Sequence, residues 1–502
     1  MEEGTLVVPL ENEIQTLDPA QLFDPVTSRV IWQIYEGLLA LDENGNVVPV
    51  LAISWEPERN YTVWRFRLRD SVYFHQVGPV RERIKLSAYD VKFSFERFAR
   101  RFGAFIFAGH VKGFDEYVKG RAKEVSGFVV VDSLTFEIHL VKSEPSFIYR
   151  LTSPYLSIYP REVVESFPDN FGKEIAVGTG PFYLYRFSPT EVILKRNHDY
   201  WDRGAGGNVE TIIFKVEKNQ QIRLTRFLQG QYDIIQLPSF LIPQFISKDG
   251  ELLPKYSGKF NLYSTYTLNV YYIGFRCDRV DVNLRRAIAM AIDRGRIVEM
   301  LLHNQGVVAK GPCLPGLQGY DSPDVLVYNP DSSRFYLSRS GYGGKEVELL
   351  VTDAPNSQEI GEIVQNQLKN AGINVKITKV DYNTGVSRIF SKEGVDMFVL
   401  SSEWVFGAPE YMLDSYYSKA QPTPNKYKYE NPEFDRIFER ARSSSDRKEI
   451  NKLLYEAELI AQRDVPVVWL FHMKNIYLTG KRVNNFKVNP NNWWMLKYVK
   501  VS

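Results

Sequence analysis

Between residues 346 and 377 the spacing of apolar residues changes from that of a strand to that of a helix and back. Glu346–Thr352 has the short apolar run of a buried strand, and residues 373–377 alternate between apolar and polar. The residues between them place an apolar stripe at helical spacing, formed by Ile360, Ile363, Val364 and Leu368. A strand, a helix and a strand within about 35 residues predict a βαβ unit with parallel strands. This segment therefore predicts an α/β fold.

Charge and hydropathy narrow the function classes. The chain has 502 residues, with 62 basic and 60 acidic side chains and a net charge of +2. No long basic run is present, which argues against a nucleic-acid partner. No stretch of about 18 apolar residues is present, so the sequence predicts no membrane-spanning helix.

Two cysteines, Cys277 and Cys313, exclude a disulfide-rich scaffold. They could form one bridge in an oxidising compartment. Two separate buried thiols are the alternative, and the sequence leaves both open.

Catalytic motifs are missing from the sequence. None of the six histidines is paired at the i, i+4 spacing of a zinc helix, and no GxSxG or GxxxxGK segment occurs. Carboxylates are plentiful, but no local motif selects a catalytic pair. We therefore expect a binding protein without metal or cofactor, and a hydrolase or transferase acting through a carboxylate pair is the alternative.

Eight short segments stand in order along nearly the whole chain. They are TLDP at 16–19, YEGL at 35–38 with PVLA and SW at 49–55, SAYDVKFSFER at 87–97, GTGPF at 178–182, RN and YW at 196–201, YIGF at 272–275, RRAI with AIDR at 285–294, and DVPVVWL at 464–470. Together they resemble the signature segments of the large solute-binding proteins of bacterial ABC importers, solute-binding family 5, which take peptides, nickel or oligosaccharides.

The resemblance implies a type II periplasmic-binding fold with two α/β lobes, a hinge and an inserted third lobe. Its expected boundaries are 1–41, 177–267 and 479–502 for lobe I, 42–176 for the inserted lobe II, and 268–478 for lobe III. Two chain crossings near 266–272 and 471–478 would form the hinge. Lobes I and III would close on the solute and present it to a membrane permease.

The resemblance also implies location and assembly. We expect a monomer in the periplasm or anchored to the cell surface as a lipoprotein. Because the chain opens with Met1-Glu2-Glu3-Gly4 and no signal peptide, we expect it to be a mature form with an added start residue.

One departure concerns the ligand. Peptide-binding relatives carry a Trp and, three residues later, an Asp that binds the peptide's amino group. Trp404 matches the Trp, but Gly407 occupies the position of the Asp, and neither Glu403 nor Glu410 has the right offset. A buried ammonium requires a charged or multiply hydrogen-bonded partner. The sequence therefore favours a ligand without a free α-amino group, such as an oligosaccharide, over an ordinary peptide.

Further ligand contacts are expected from position in the family pattern. Trp404 is predicted to line the cleft, and Phe406 is either a cleft residue or a packed core ring. Other candidates follow the TLDP segment, lie beside the hinge or follow a lobe III strand. They are Phe23, Asp24, Tyr271, Tyr382 and Asn383.

Overall fold

A computed structural model describes residues 3–21, 24–101, 103–153, 155–391, 394–421 and 423–502. The strands are β1 Thr5–Leu10, β2 Leu39–Leu41, β3 Val47–Pro49, β4 Ala52–Glu58, β5 Val63–Leu68, β6 Phe128–Asp132, β7 Thr135–His139, β8 Phe182–Ser188, β9 Glu191–Arg196, β10 Thr211–Val216, β11 Ile234–Leu237, β12 Phe260–Phe275, β13 Gly306–Val308, β14 Val347–Thr352, β15 Val375–Val380, β16 Met397–Glu403, β17 Val467–Gly480, β18 Val483–Asn484 and β19 Lys500–Val501. The α-helices are α1 Pro25–Ile34, α2 Ala88–Ala99, α3 Ala104–Phe107, α4 Phe114–Val118, α5 Arg161–Ser166, α6 Gln220–Leu228, α7 Ile242–Phe245, α8 Pro254–Ser257, α9 Val282–Ala291, α10 Arg294–Leu302, α11 Pro330–Arg339, α12 Ser357–Asn370, α13 Tyr382–Phe390, α14 Pro409–Met412, α15 Pro432–Ser443 and α16 Arg447–Asp464.

The chain divides into two compact units. The first unit contains Met1–Leu237, Pro254–Thr265 and Ile476–Ser502, and the second contains Pro238–Leu253 and Tyr266–Asn475. The strands β12 and β17 each begin in one unit and end in the other. The division into three lobes is finer than these two units and stays a prediction.

The first unit is built around two four-stranded sheets, in the orders β1-β10-β9-β8 and β4-β5-β7-β6. In β5 the buried Trp64 and Phe66 alternate with the exposed Arg65 and Arg67, because successive side chains of a strand point to opposite faces. One face of this sheet is therefore core and the other is solvated.

The predicted βαβ unit is confirmed in the second unit. There β14, α12 and β15 follow one another, and β14 pairs in parallel with both β15 and β16. The sheet continues through β12 and β17, and both of its faces are buried. Alternate residues of β12 show this, since Tyr272 belongs to one core cluster and Ile273 to the other. Parallel strands usually need such two-sided cover.

Apolar residues at helical spacing between Val26 and Leu41 predict one helix over this segment, but the helix in the structure is shorter. It ends at Ile34, and residues 39–41 form β2 instead. The segment Gly178–Gly180 packs against the last turn, where the Gly180 amide donates to the Ile34 carbonyl at 2.9 Å. A Cβ on Gly178 would lie 2.1 Å from that carbonyl oxygen. The end of the helix therefore depends on contact with a loop about 140 residues further along the chain. Apolar spacing within the helix does not predict such a contact.

Candidate functional site

The carboxyl ends of β14, β15 and β16 meet at one edge of the second unit's sheet, because these strands are parallel neighbours. Open α/β sheets bind ligands beyond the carboxyl ends of their strands. Four of the predicted residues stand at this edge, namely Tyr382 and Asn383 directly after β15 and Glu403 and Trp404 at the end of β16. Side chains on these connections can converge on a solute.

Tyr271 lies on β12 beside this edge. It is opposite Ser401 of β16 in register, and its ring stacks on Phe471 with centroids 4.9 Å apart. Its hydroxyl accepts a hydrogen bond from Asn356 Nδ2 at 3.4 Å. Burial raises the pKa of the Tyr271 hydroxyl, so it stays protonated and able to donate.

Glu403 carries a carboxylate that has no partner among the described residues. No Lys, Arg or His of the described residues lies within ion-pair distance of it, and its side chain accepts no hydrogen bond from them. The Glu403 residue is exposed to solvent. The protein around its carboxyl nevertheless displaces part of the surrounding water, and this desolvation raises the pKa of the carboxyl. Glu403 also raises the pKa of Tyr271, which places the two groups within electrostatic reach of each other.

Trp404 continues the strand pairing, since its amide donates to the Leu268 carbonyl at 3.1 Å. Its half-buried side chain packs against a core cluster, and its buried Nε1 has no hydrogen-bond partner among the described residues. Phe406 is buried and meets Tyr411 edge-on with ring centroids 5.5 Å apart, and its contact with a ligand stays a prediction. Gly407 is buried as well.

The remaining predicted contacts are spread more widely. Tyr382 is half exposed, its amide is held by Asp353 at 2.9 Å, and Asn383 is exposed next to it. Asp24 belongs to the first unit and caps α1, because its Oδ1 accepts from the amides of Val26 and Thr27 at 2.9 Å each. Phe23 lies outside the described residues. Ligand contact by any of these residues stays a prediction.

Glu410, the other carboxylate weighed as a substitute anchor, is already paired. It is buried, and Arg447 donates to both of its oxygens at 2.6 and 3.2 Å. A bidentate buried pair of this kind stabilises the fold only while both partners remain. Glu410 is therefore part of the scaffold, and Glu403 is the carboxylate of the two that remains open to a ligand.

The sequence analysis missed three polar residues, which lie on β12, on β17 and in the connection after β14. Asn356 holds Tyr271 as described, and its backbone has the left-handed φ of 62°. Asn269 stands opposite Glu403 in register, and its buried Oδ1 has no hydrogen-bond partner among the described residues. His472 is buried on β17, and burial lowers its pKa to about 4 against backbone hydrogen bonds that raise it. Its position after the strand segment DVPVVWL is the one sequence signal for it.

Buried polar groups in proteins are almost always hydrogen-bonded. Among the described residues, Asn269 Oδ1 and Trp404 Nε1 have no hydrogen-bond partner, and Asn269 stands opposite Glu403, whose carboxylate has none among them either. An exogenous polar molecule can supply the missing bonds. The unsatisfied groups at this edge are therefore candidates for contact with a polar solute.

Cys277 and Cys313 are free thiols, and burial raises the pKa of Cys277 to about 12. Among the residues with described side chains, no three His, Cys, Asp or Glu groups are arranged to hold a metal ion. The helices of the described ranges include none that is both long and apolar enough to cross a membrane.

The chain is similar to known proteins over most of its length. The model of the family "Bacterial extracellular solute-binding proteins, family 5 Middle" matches residues 46–424. The dipeptide-binding protein DppE of Bacillus subtilis is 23% identical over 99% of this chain and 92% of its own length. Heme-binding protein A of Haemophilus influenzae is 25% identical over 91% of this chain and 85% of its own.

A solved structure, that of HbpA2 from Haemophilus parasuis, superposes with a TM-score of 0.84 at 25% identity and covers 99% of this chain and 100% of its own. The likeness confirms the α/β type II periplasmic-binding fold that the ordered segments implied. The chain belongs to the bacterial extracellular solute-binding proteins of family 5.

Proposed function

We propose that the chain is a non-catalytic, monomeric solute-binding protein that captures a small solute between lobes I and III outside the cytoplasm and delivers it to an ABC permease. Membership in family 5 supports this proposal, as do relatives named for dipeptide and heme binding. A structure of similar fold is described as an ABC transporter-associated periplasmic binding protein.

We further propose that the solute is a short peptide or peptide-like molecule whose ammonium group binds Glu403. The observation that carries this is the unpartnered Glu403 carboxylate beside Tyr271 and Asn269. A carboxylate partly removed from water gains most from a cationic partner. Glu403 would thus replace the carboxylate that is missing at Gly407.

A neutral solute such as an oligosaccharide is the second candidate, because Gly407 carries no charge. The two candidates differ in the chemistry of one end of the ligand. Mass spectrometry of the molecules that co-purify with the protein identifies the class directly.

Calorimetry tests the ammonium anchor. Di- to pentapeptides should bind, and either N-acetylation of the peptide or Glu403→Gln should weaken binding roughly tenfold to more than a hundredfold, since a charge-assisted hydrogen bond contributes about 1.5–3 kcal/mol. Glu346→Gln is the matched control, because Glu346 is exposed just before the amino end of β14, at the opposite edge of the sheet.

Three results would contradict the proposal. Peptide affinity unchanged by Glu403→Gln would remove Glu403 as the anchor. Tighter binding of oligosaccharides than of peptides would support the neutral candidate instead. Release of product over several turnovers from a peptide and glycan panel would make the protein a hydrolase or transferase.

A further inference from the structure

The first unit contains a cavity of about 460 Å³ whose lining residues all belong to that unit. The carboxyl-edge site of the second unit contributes none of them. The walls come from α1, the β2–β3 hairpin, Trp201 and the C-terminal segment 493–498. Small-molecule sites in proteins commonly have volumes of about 300–1,000 Å³. The cavity is therefore large enough for a ligand of its own.

Aromatic faces dominate part of this cavity. Trp32 and Trp493 pair with ring centroids 4.4 Å apart, and both rings are only half buried. Trp201 and Tyr498 line the same space. Flat rings of this size offer large apolar contact areas at little conformational cost. They suit a ligand that is itself ring-shaped.

Two aromatic rings that line the cavity already have a cationic side chain over one face. The Arg69 guanidinium lies 4.1 Å from the ring centroid of Trp201, and the Lys497 ammonium lies 5.1 Å from that of Tyr498. A cationic ligand would compete with both and be repelled by them. The aromatic wall is thus not a cage for an ammonium ligand.

An anion is disfavoured as well, because acidic and basic lining residues nearly balance. The acids are Glu36, Asp42, Glu43 and Asp202, and the bases are Arg69, Lys487 and Lys497. Lys497 pairs with Asp202 at 2.9 Å and Lys487 with Glu43 at 3.1 Å. The remaining charge is too small and too mixed in sign to select an anion. A neutral ligand fits this wall best.

Ser153 and Trp494 are among the lining residues with a buried polar atom that lacks a hydrogen-bond partner among the described residues. Ser153 Oγ and Trp494 Nε1 belong to residues that are 1% and 3% exposed, and neither atom has a hydrogen-bond partner among the described residues. A hydrocarbon or plain aromatic ring would leave both unsatisfied, at a cost in binding free energy. Hydroxyl and ring oxygens would satisfy both.

From the aromatic wall, the balanced charge and these two polar atoms, we propose that the cavity binds a neutral sugar of one or two pyranose rings. One ring face packs on the Trp32–Trp493 pair, and hydroxyl groups take the hydrogen bonds of Ser153 and Trp494. The lining of this proposed second site belongs to the first unit and shares no residue with the carboxyl-edge site of the second unit.

Calorimetric titration of the full chain with D-glucose, N-acetyl-D-glucosamine and maltose tests the proposal, with indole and choline as probes of the other ligand classes. At least one sugar should bind, and Trp32→Ala and Ser153→Ala should each weaken it about tenfold, the loss expected for one stacking contact or one hydrogen bond. Tyr185→Ala removes an exposed aromatic ring elsewhere in the first unit and should leave sugar binding unchanged.

Sugar binding should also persist in Glu403→Gln, so this test stands apart from that of the peptide anchor. Thermal unfolding verifies that each variant folds, and Trp32→Phe, which keeps a smaller ring, replaces Trp32→Ala if that variant does not. No sugar binding at millimolar concentrations, binding of indole or choline instead, or a sugar affinity that neither Trp32→Ala nor Ser153→Ala changes would overturn the proposal.

Discussion

At the scale of single residues, burial and pairing decide which carboxylates are available for function. Glu403 and Glu410 lie seven positions apart, and the sequence treats them as equal alternatives. In the fold Glu403 has no cationic partner among the described residues, whereas Glu410 is paired with Arg447. A third, Glu458, is buried beside Tyr320, whose hydroxyl donates to it, and Gln462 Nε2, which donates at 3.1 Å.

Glu458 should make stability depend on pH. Burial raises its pKa from 4.5 to about 7, against the hydrogen bonds that lower it. Between about pH 4.5 and 7 the folded state therefore holds a proton that the unfolded state releases. The contribution of Glu458 to the free energy of unfolding is fully present below about pH 4.5 and is lost as the pH rises through about 7. The difference corresponds to about 3 kcal/mol.

The measurement is urea unfolding of the unaltered protein and of Glu458→Gln between pH 4.5 and 8. The variant carries no titrating group at position 458. Its free energy of unfolding should therefore rise relative to that of the unaltered protein as the pH rises. Taking the difference between the two profiles removes the opposite effect of His75 and His472, whose pKa values burial lowers to about 4. Parallel profiles would show that Glu458 titrates normally, and Glu346→Gln controls for loss of an exposed carboxylate.

At the scale of elements, short-range hydrogen bonds set where helices begin. Ser87 and Asp90 form a capping box at the start of α2, as the spacing of these two residues predicts. Asp24 performs the same task for α1 with two amide bonds. A residue predicted from the family pattern to touch ligand thus has a structural role of its own.

Asp24→Ala should destabilise the protein by about 1 kcal/mol, because two amides of the first turn lose their acceptor. Asp24→Asn keeps a capping oxygen, so its free energy of unfolding should stay within a few tenths of a kcal/mol of that of the unaltered protein. Chemical denaturation measures both. If Asp24→Ala left the free energy of unfolding unchanged but weakened solute binding, the cap would be incidental and ligand contact would be the function of Asp24.

At the scale of the whole molecule, β12 and β17 join the two units through continuous strands. The proposed function requires lobes I and III to close on the solute, since a ligand shifts a conformational equilibrium only by binding one state more tightly. Small-angle scattering should show a smaller radius of gyration once the solute identified by mass spectrometry saturates the protein. An unchanged radius at saturation would contradict a closing trap, and a non-binding N-acetylated peptide is the control.

The sequence alone determined the features that depend on local spacing. The βαβ unit of β14, α12 and β15 follows from apolar periodicity, and the start of α2 follows from its cap, because neighbouring residues in the chain are sufficient to specify both. The ordered segments implied the fold and the family.

Only the tertiary structure decided features that join distant residues. The loop at Gly178–Gly180 packs against the end of α1. Arg447 pairs with Glu410, so Glu403 is the carboxylate of the two that remains available to a ligand. Trp32 contacts Trp493, 461 positions away, and the two rings form an aromatic cavity wall. Spacing along the chain contains no information on such contacts, because they depend on which surfaces packing brings together. Two carboxylates that look alike in the sequence therefore acquire different chemistry once burial and partners are set by the fold.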